Sequence, residues 1–199
     1  MSRAWKLFLS MALLACLIMA AWFVFREGHP PKSGSEALTW AIELQEAGRY
    51  DKAVQVLQTW MKGANRNTSH DGFLYHQIAM IYIVKAYKKP RTRDDSIHQS
   101  ELNLKEAQRL FDQQQVLDDD TSLFGIGGAY EILGDISDKD KCRLYEIGRQ
   151  ALERQLPLIK GDSYTAYGKT VPLEPLRAEI RKHLDAVNKK SSTAGCQAH

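Results

Sequence analysis

"AGRYDKAVQVLQ" (47–58) sets a Gly-Arg-Tyr corner directly ahead of an apolar helical stripe. Ala53, Val56, Leu57, Trp60 and Met61 follow the three- and four-residue steps of one helical face, and Gly48 is a helix stop of the kind glycine supplies most cheaply. Upstream, Ala37, Trp40, Ala41, Leu44 and Gly48 trace a face of their own. The stretch therefore reads as the corner of a helix hairpin. Whether that corner recurs decides the fold, because a repeated hairpin makes a scaffold and moves the search from catalysis to binding.

It recurs twice. Tyr75, Ile78, Ala79, Tyr82 and Ala86, and then Leu123, Ile126, Gly127, Tyr130 and Gly134, keep the spacing of the first set. Ala41, Ala79 and Gly127 share one place in that spacing, and Gly48, Ala86 and Gly134 share another. Small residues at fixed places on an apolar face mark where two helices approach closely. After the third set, Leu133-Gly134-Asp135 turns the chain into a helix through Leu144, Ile147, Gly148, Ala151 and Leu152. After the second, an insertion from Lys88 to about Ser96 is expected to delay a helix through Leu104, Ala107, Leu110, Phe111 and Gln114. The basic run Lys88 to Arg93, followed at once by Asp94-Asp95, reads as a solvated surface loop.

With Gly48-Arg49-Tyr50-Asp51-Lys52-Ala53 and with Leu123, Ile126-Gly127, Tyr130 and Gly134, the chain resembles the tetratricopeptide repeat family. The small residues recur 38 and 48 residues apart (Ala41 to Ala79, Ala79 to Gly127), where the family expects about 34, so the middle repeat is expanded. The resemblance implies an all-α chain with about three hairpins in an α-solenoid over 35–157. A generic helical bundle is the alternative. Leu176, Ile180, Leu184 and Val187 make an apolar stripe on an otherwise charged helix that Pro172 and Pro175 are placed to start, which suits a capping helix over 176–190. The loop at 158–175 is a candidate lid, and 191–199 reads as a disordered tail.

Ahead of the repeats, "LFLSMALLACLIMAAWFVF" (7–25) holds no charge and would rise about 28 Å as a helix, close to a hydrocarbon core of about 30 Å. Arg3 and Lys6 precede it. The expectation is a single-pass membrane protein with a cytoplasmic N-terminus (1–6), a transmembrane signal-anchor helix (7–25), a linker (26–34) carrying Pro30-Pro31, and a C-terminal domain outside the cytoplasm, on the periplasmic side of a bacterial inner membrane. Two alternatives are a cleaved secretory signal and a lipoprotein signal, because Leu13-Leu14-Ala15-Cys16 resembles a lipobox.

Charge excludes a nucleic-acid footprint. The chain carries 27 Lys and Arg against 24 Asp and Glu, and with Arg3 and Lys6 set aside the remainder is near +1. Cys142 and Cys196 permit a bridge in an oxidising compartment, but Cys196 lies in the polar tail, so the bridge is not expected. Gly161-Asp162-Ser163 superficially resembles the nucleophile block of GDS-type esterases but lacks the strand-turn-helix setting. The six His residues form no His-x-x-x-His pair, so neither a metal nor a cofactor is expected.

In the repeat family the outward positions of each first helix line a concave groove. Carried over one by one, these are Leu38, Ile42, Gln45, His76, Met80, Ile83, Phe124, Gly128 and Glu131. The resemblance thus implies a membrane-anchored scaffold or adaptor, not an enzyme, that binds a protein partner through an apolar peptide or helix. A lipoprotein assembly factor or an enzyme of unrecognised type are the alternatives. The helix around "FLYHQIAMIYIVKAY" (73–87) is apolar nearly all round, so His76, Met80 and Ile83 equally suit core positions.

Overall fold

In the computed structural model, which describes residues 31–63, 70–114, 120–159, 161–166 and 169–196, the first helix starts where the sequence supplies a cap. Helix α1 (Gly34–Glu46) opens with the Ser33 hydroxyl accepting from the Glu36 N–H at 3.1 Å, while the Glu36 carboxylate accepts from the Lys32 N–H at 2.8 Å. The helix closes at Gly48. The Arg49 N–H donates to the Leu44 carbonyl at 2.8 Å and the Gly48 N–H to that of Gln45 at 2.9 Å, with Gly48 at φ +72°. This is a Schellman closure, and it needs a left-handed residue. No atom lies within 4 Å of a Cβ built there, so glycine serves the backbone conformation and not the space. Gly48→Ala is expected to cost about 1 kcal/mol and lower the melting temperature by about 2–4 °C. An unchanged melting temperature would show that the corner forms without a left-handed residue.

Helix α2 (Tyr50–Met61) folds back on α1, burying Tyr50, Ala53, Val54 and Leu57 against Ala37, Trp40, Ala41 and Leu44. Leu74, Ile78 and Ile81 from α3 (Asp71–Lys88) complete this first apolar cluster. A second cluster joins the next two pairs, α3 with α4 (Arg93–Gln114) and α5 (Asp120–Ile136) with α6 (Lys141–Gln155). Each cluster thus glues one pair to the next, and the described residues are all-α apart from one small hairpin.

The expected insertion after α3 is a correction. Only a 3-10 turn, Pro90–Thr92, separates α3 from α4, which begins at Arg93 and runs 22 residues. Asp94 and Asp95 sit in the first turn, where negative charge suits the helix dipole. Ser96 and Ser100 are fully buried, and the Ser100 hydroxyl donates to the Ala79 carbonyl at 3.1 Å. Short side chains let α4 approach α3 there, so polarity gave the wrong reading where side-chain volume gives the right one.

Beyond α6 come a 3-10 turn (Leu156–Leu158) and an antiparallel hairpin, β1 (Ser163–Ala166) with β2 (Lys169–Pro172), in the register Ser163↔Pro172 to Ala166↔Lys169. Helix α7 (Glu174–Thr193) follows, starting with Pro175 in its first turn. Its Ile180 and Val187 are fully buried in a third cluster with Tyr145, Leu152, Ile159 and Leu173, so α7 covers the outer face of the last pair. Arg177 holds the hairpin's base through the carbonyls of Ile159, at 3.3 Å, and Gly161.

The tail also differs from expectation. α7 persists to Thr193 and closes at Gly195, φ +73°, where the Cys196 N–H returns to the Ser191 carbonyl at 3.0 Å. That turn delivers Cys196 to Cys142 at the start of α6, and the two form a disulfide with Cα atoms 5.3 Å apart.

The expectation of a single-pass membrane protein with an external domain is corrected. Among the described residues no helix is long and apolar enough to cross a membrane. Charge is the reason: of the helices with 18 residues or more, α3 is the least polar, yet it carries Asp71, Lys85 and Lys88. The stretch 7–25, to which the expectation belongs, lies outside the described residues.

Candidate interaction surface

The positions carried over from the repeat resemblance fall into three settings. On α1, Leu38, Ile42 and Gln45 share a stripe that flanks the buried Ala37, Ala41 and Leu44. Ile42 is 45% exposed, and Leu38 and Gln45 are half-buried, with Leu38 also packed on the first cluster.

On α3 the setting is interior. Ile83 is buried in the second cluster, with Met80 half-buried beside it. His76 is buried against α5, where a Cβ added to Gly125 would sit 2.6 Å from its Nε2. Gln77 lies 3.5 Å from its Nδ1. Burial holds the imidazole below its ordinary pKa, with the Gly125 backbone acting in the opposite sense, so the ring is neutral at physiological pH.

On α5, the Phe124 side chain lies outside the described residues, and Gly128 is open, with nothing within 4 Å of a built Cβ. Glu131 is buried beneath α7. Its carboxylate lies 2.9 Å from Nδ1 of His183 and accepts from the Lys190 ammonium at 2.6 Å. Lys190 also reaches Asp135 at 2.6 Å, and the Tyr145 hydroxyl donates to Asp135 at 2.8 Å. Burial works to lower the Lys190 pKa, but the hydrogen bonds to Asp135 and Glu131 carry it above the ordinary value. Burial, then the bond to Asp135, pushes the Tyr145 phenol up to about 12.

This network fixes the C-terminal helix to the third pair. It joins residues up to 59 apart, and no local period in the sequence announces it. A second clamp, missed for the same reason, is the two-pronged bond from Arg143 on α6 to the buried Glu101 on α4, at 2.7 and 3.0 Å. Ion pairs between helices therefore engage the most buried carboxylates. Among the described residues no group of three His, Cys, Asp or Glu is placed to hold a metal ion. Ser163, of the Gly-Asp-Ser stretch, is exposed at the start of β1.

No protein-family model matches the chain, and comparison with curated proteins and with solved structures found no match.

Proposed function

We propose that the chain is a tetratricopeptide-like helical repeat whose work is to bind a protein or peptide partner and not to catalyse a reaction. The observation that supports it most is the setting of Ala41, Ala79 and Gly127. Ala41 is buried in the cluster that α1 shares with α2. The Ala79 carbonyl takes the Ser100 hydroxyl of α4, and a Cβ at Gly127 would lie 2.5 Å from Leu152 Cγ of α6. One place on each first helix thus meets its second helix, and such a local rule, repeated along a chain, describes a solenoid.

Of the positions carried over, those on α1 offer the accessible apolar surface. Ile42, flanked by Leu38 and Gln45, suits an apolar segment of a partner, since an exposed isoleucine gains most when a partner covers it. Ile42→Glu is expected to leave the melting temperature within about 2 °C, because a surface change away from the core moves stability by about 0.5 kcal/mol or less. It is also expected to abolish retention of a discrete partner in affinity capture with the chain as bait. Undiminished capture by the folded variant would remove α1 from the binding surface. Loss of the fold would show that Ile42 is core.

A further inference from the structure

Two segments separated in sequence contribute cations to one cavity of about 720 Å³. Arg49 and Lys52 come from the corner between α1 and α2, and Lys85, Lys88, Lys89 and Arg91 from the end of α3 and the turn after it. Asp51 is the one carboxylate among the described lining residues. Six cations against one carboxylate give the lining a formal +5, whereas the whole chain carries +3. The rest of the molecule is therefore net negative, and the positive charge is concentrated here.

Lys85 is the built part of the site. Its side chain is only 14% exposed, and its ammonium lies 2.6 Å from Asp51 Oδ1 and 5.8 Å from the centre of the Tyr82 ring. Asp51 is itself 80% exposed. A largely enclosed ammonium is costly to desolvate, and a single carboxylate immersed in water offsets that cost weakly. An anion seated in the cavity would supply what Asp51 does not.

We propose that this cavity is an anion site for a small soluble molecule bearing two or three phosphoryl groups. A phosphoryl group carries about −1.5 to −2, so two or three of them balance the lining. An acidic peptide would need about five carboxylates converging on the same space, since each brings a single charge. Arg91 carries a planar guanidinium fork that matches phosphoryl oxygens, and the lysines add point charges. The site shares no residue with the partner surface proposed on α1, so either can fail alone.

Isothermal titration of the whole chain with inorganic tripolyphosphate at low salt tests the assignment. Lys89→Glu with Arg91→Glu, both exposed, is expected to weaken binding about tenfold or more, because two charge-assisted contacts become repulsive. Lys105→Glu with Lys189→Glu makes the same change in net charge at exposed positions outside the cavity lining, and is expected to weaken binding less than about threefold. No binding by the wild type, or equal weakening by the two double variants, would overturn the site. Equal affinity for a pentaglutamate peptide would overturn the phosphoryl class. Binding to phosphatidic acid vesicles that tripolyphosphate does not compete away would move the source from a soluble molecule to a lipid headgroup and overturn the proposal in its stated form.

Discussion

Gly127→Leu is expected to lower the melting temperature of the chain by about 6–12 °C, corresponding to about 3 kcal/mol. A Cβ at this position would already lie 2.5 Å from Leu152 Cγ and 3.3 Å from the Gly148 carbonyl of α6. The contact is mutual, since a Cβ at Gly148 would lie 3.1 Å from the Gly127 carbonyl and 3.2 Å from Tyr130 Cβ. The two backbones meet here, and the Leu152 side chain already fills the space a Gly127 side chain would need. Leucine must therefore push α5 and α6 apart, which places the cost at the upper end for overpacked cores.

The neighbouring glycine makes the comparison decisive. Gly128 has nothing within 4 Å of a built Cβ and lies inside α5. Gly128→Ala relieves the entropic cost of glycine in a helix and is expected to raise the melting temperature by about 2–4 °C. Opposite signs at adjacent positions would establish that packing, not helix propensity, selects Gly127. A loss at Gly128 equal to that at Gly127 would sink the assignment of α5's buried face.

How much of this was legible in the sequence follows from the range of each signal. The faces through Ala41, Ala79 and Gly127 were readable because a helix writes its buried side at steps of three and four residues, and the stop at Gly48 is equally local. The start of α4 was not, since Asp94, Asp95 and Ser96 look like a loop by polarity, although Ser96, like Ser100 one turn on, is buried for its size. Gly195 was a local helix-stop signal in the tail that polarity masked, and it is what returns Cys196 toward α6. For the candidate surface the limit is different. α3 is apolar on nearly every side, so its phase could not tell an open face from a packed one, and Ile83 and His76 turned out buried. Pairings such as Glu131 with Lys190, or Arg49 with Arg91 around one cavity, depend on how distant helices meet, which no local period encodes.

Loss of the disulfide is expected to have the largest effect. Cys142 and Cys196 are 54 residues apart, and closing a loop of that length removes unfolded-state entropy worth about 4 kcal/mol at 25 °C. The melting temperature should fall by about 8–16 °C on adding reductant, and Cys142→Ser with Cys196→Ser should melt at the reduced wild-type temperature with or without reductant. The folded state should change little. Ile180 and Val187 stay buried by their own apolar contacts, and Glu131 holds His183 and Lys190 whether or not the sulfurs are joined. Helix content by circular dichroism at 20 °C should therefore be the same in oxidised and reduced protein, the difference emerging only on heating. A loss of helix on reduction at 20 °C would mean that the bond docks α7 directly, contradicting the entropic account. A melting temperature indifferent to reductant would mean that the bridge does not form, and Gly195 would then end a helix held by its apolar face and by polar contacts such as those to Glu131 and Asp135.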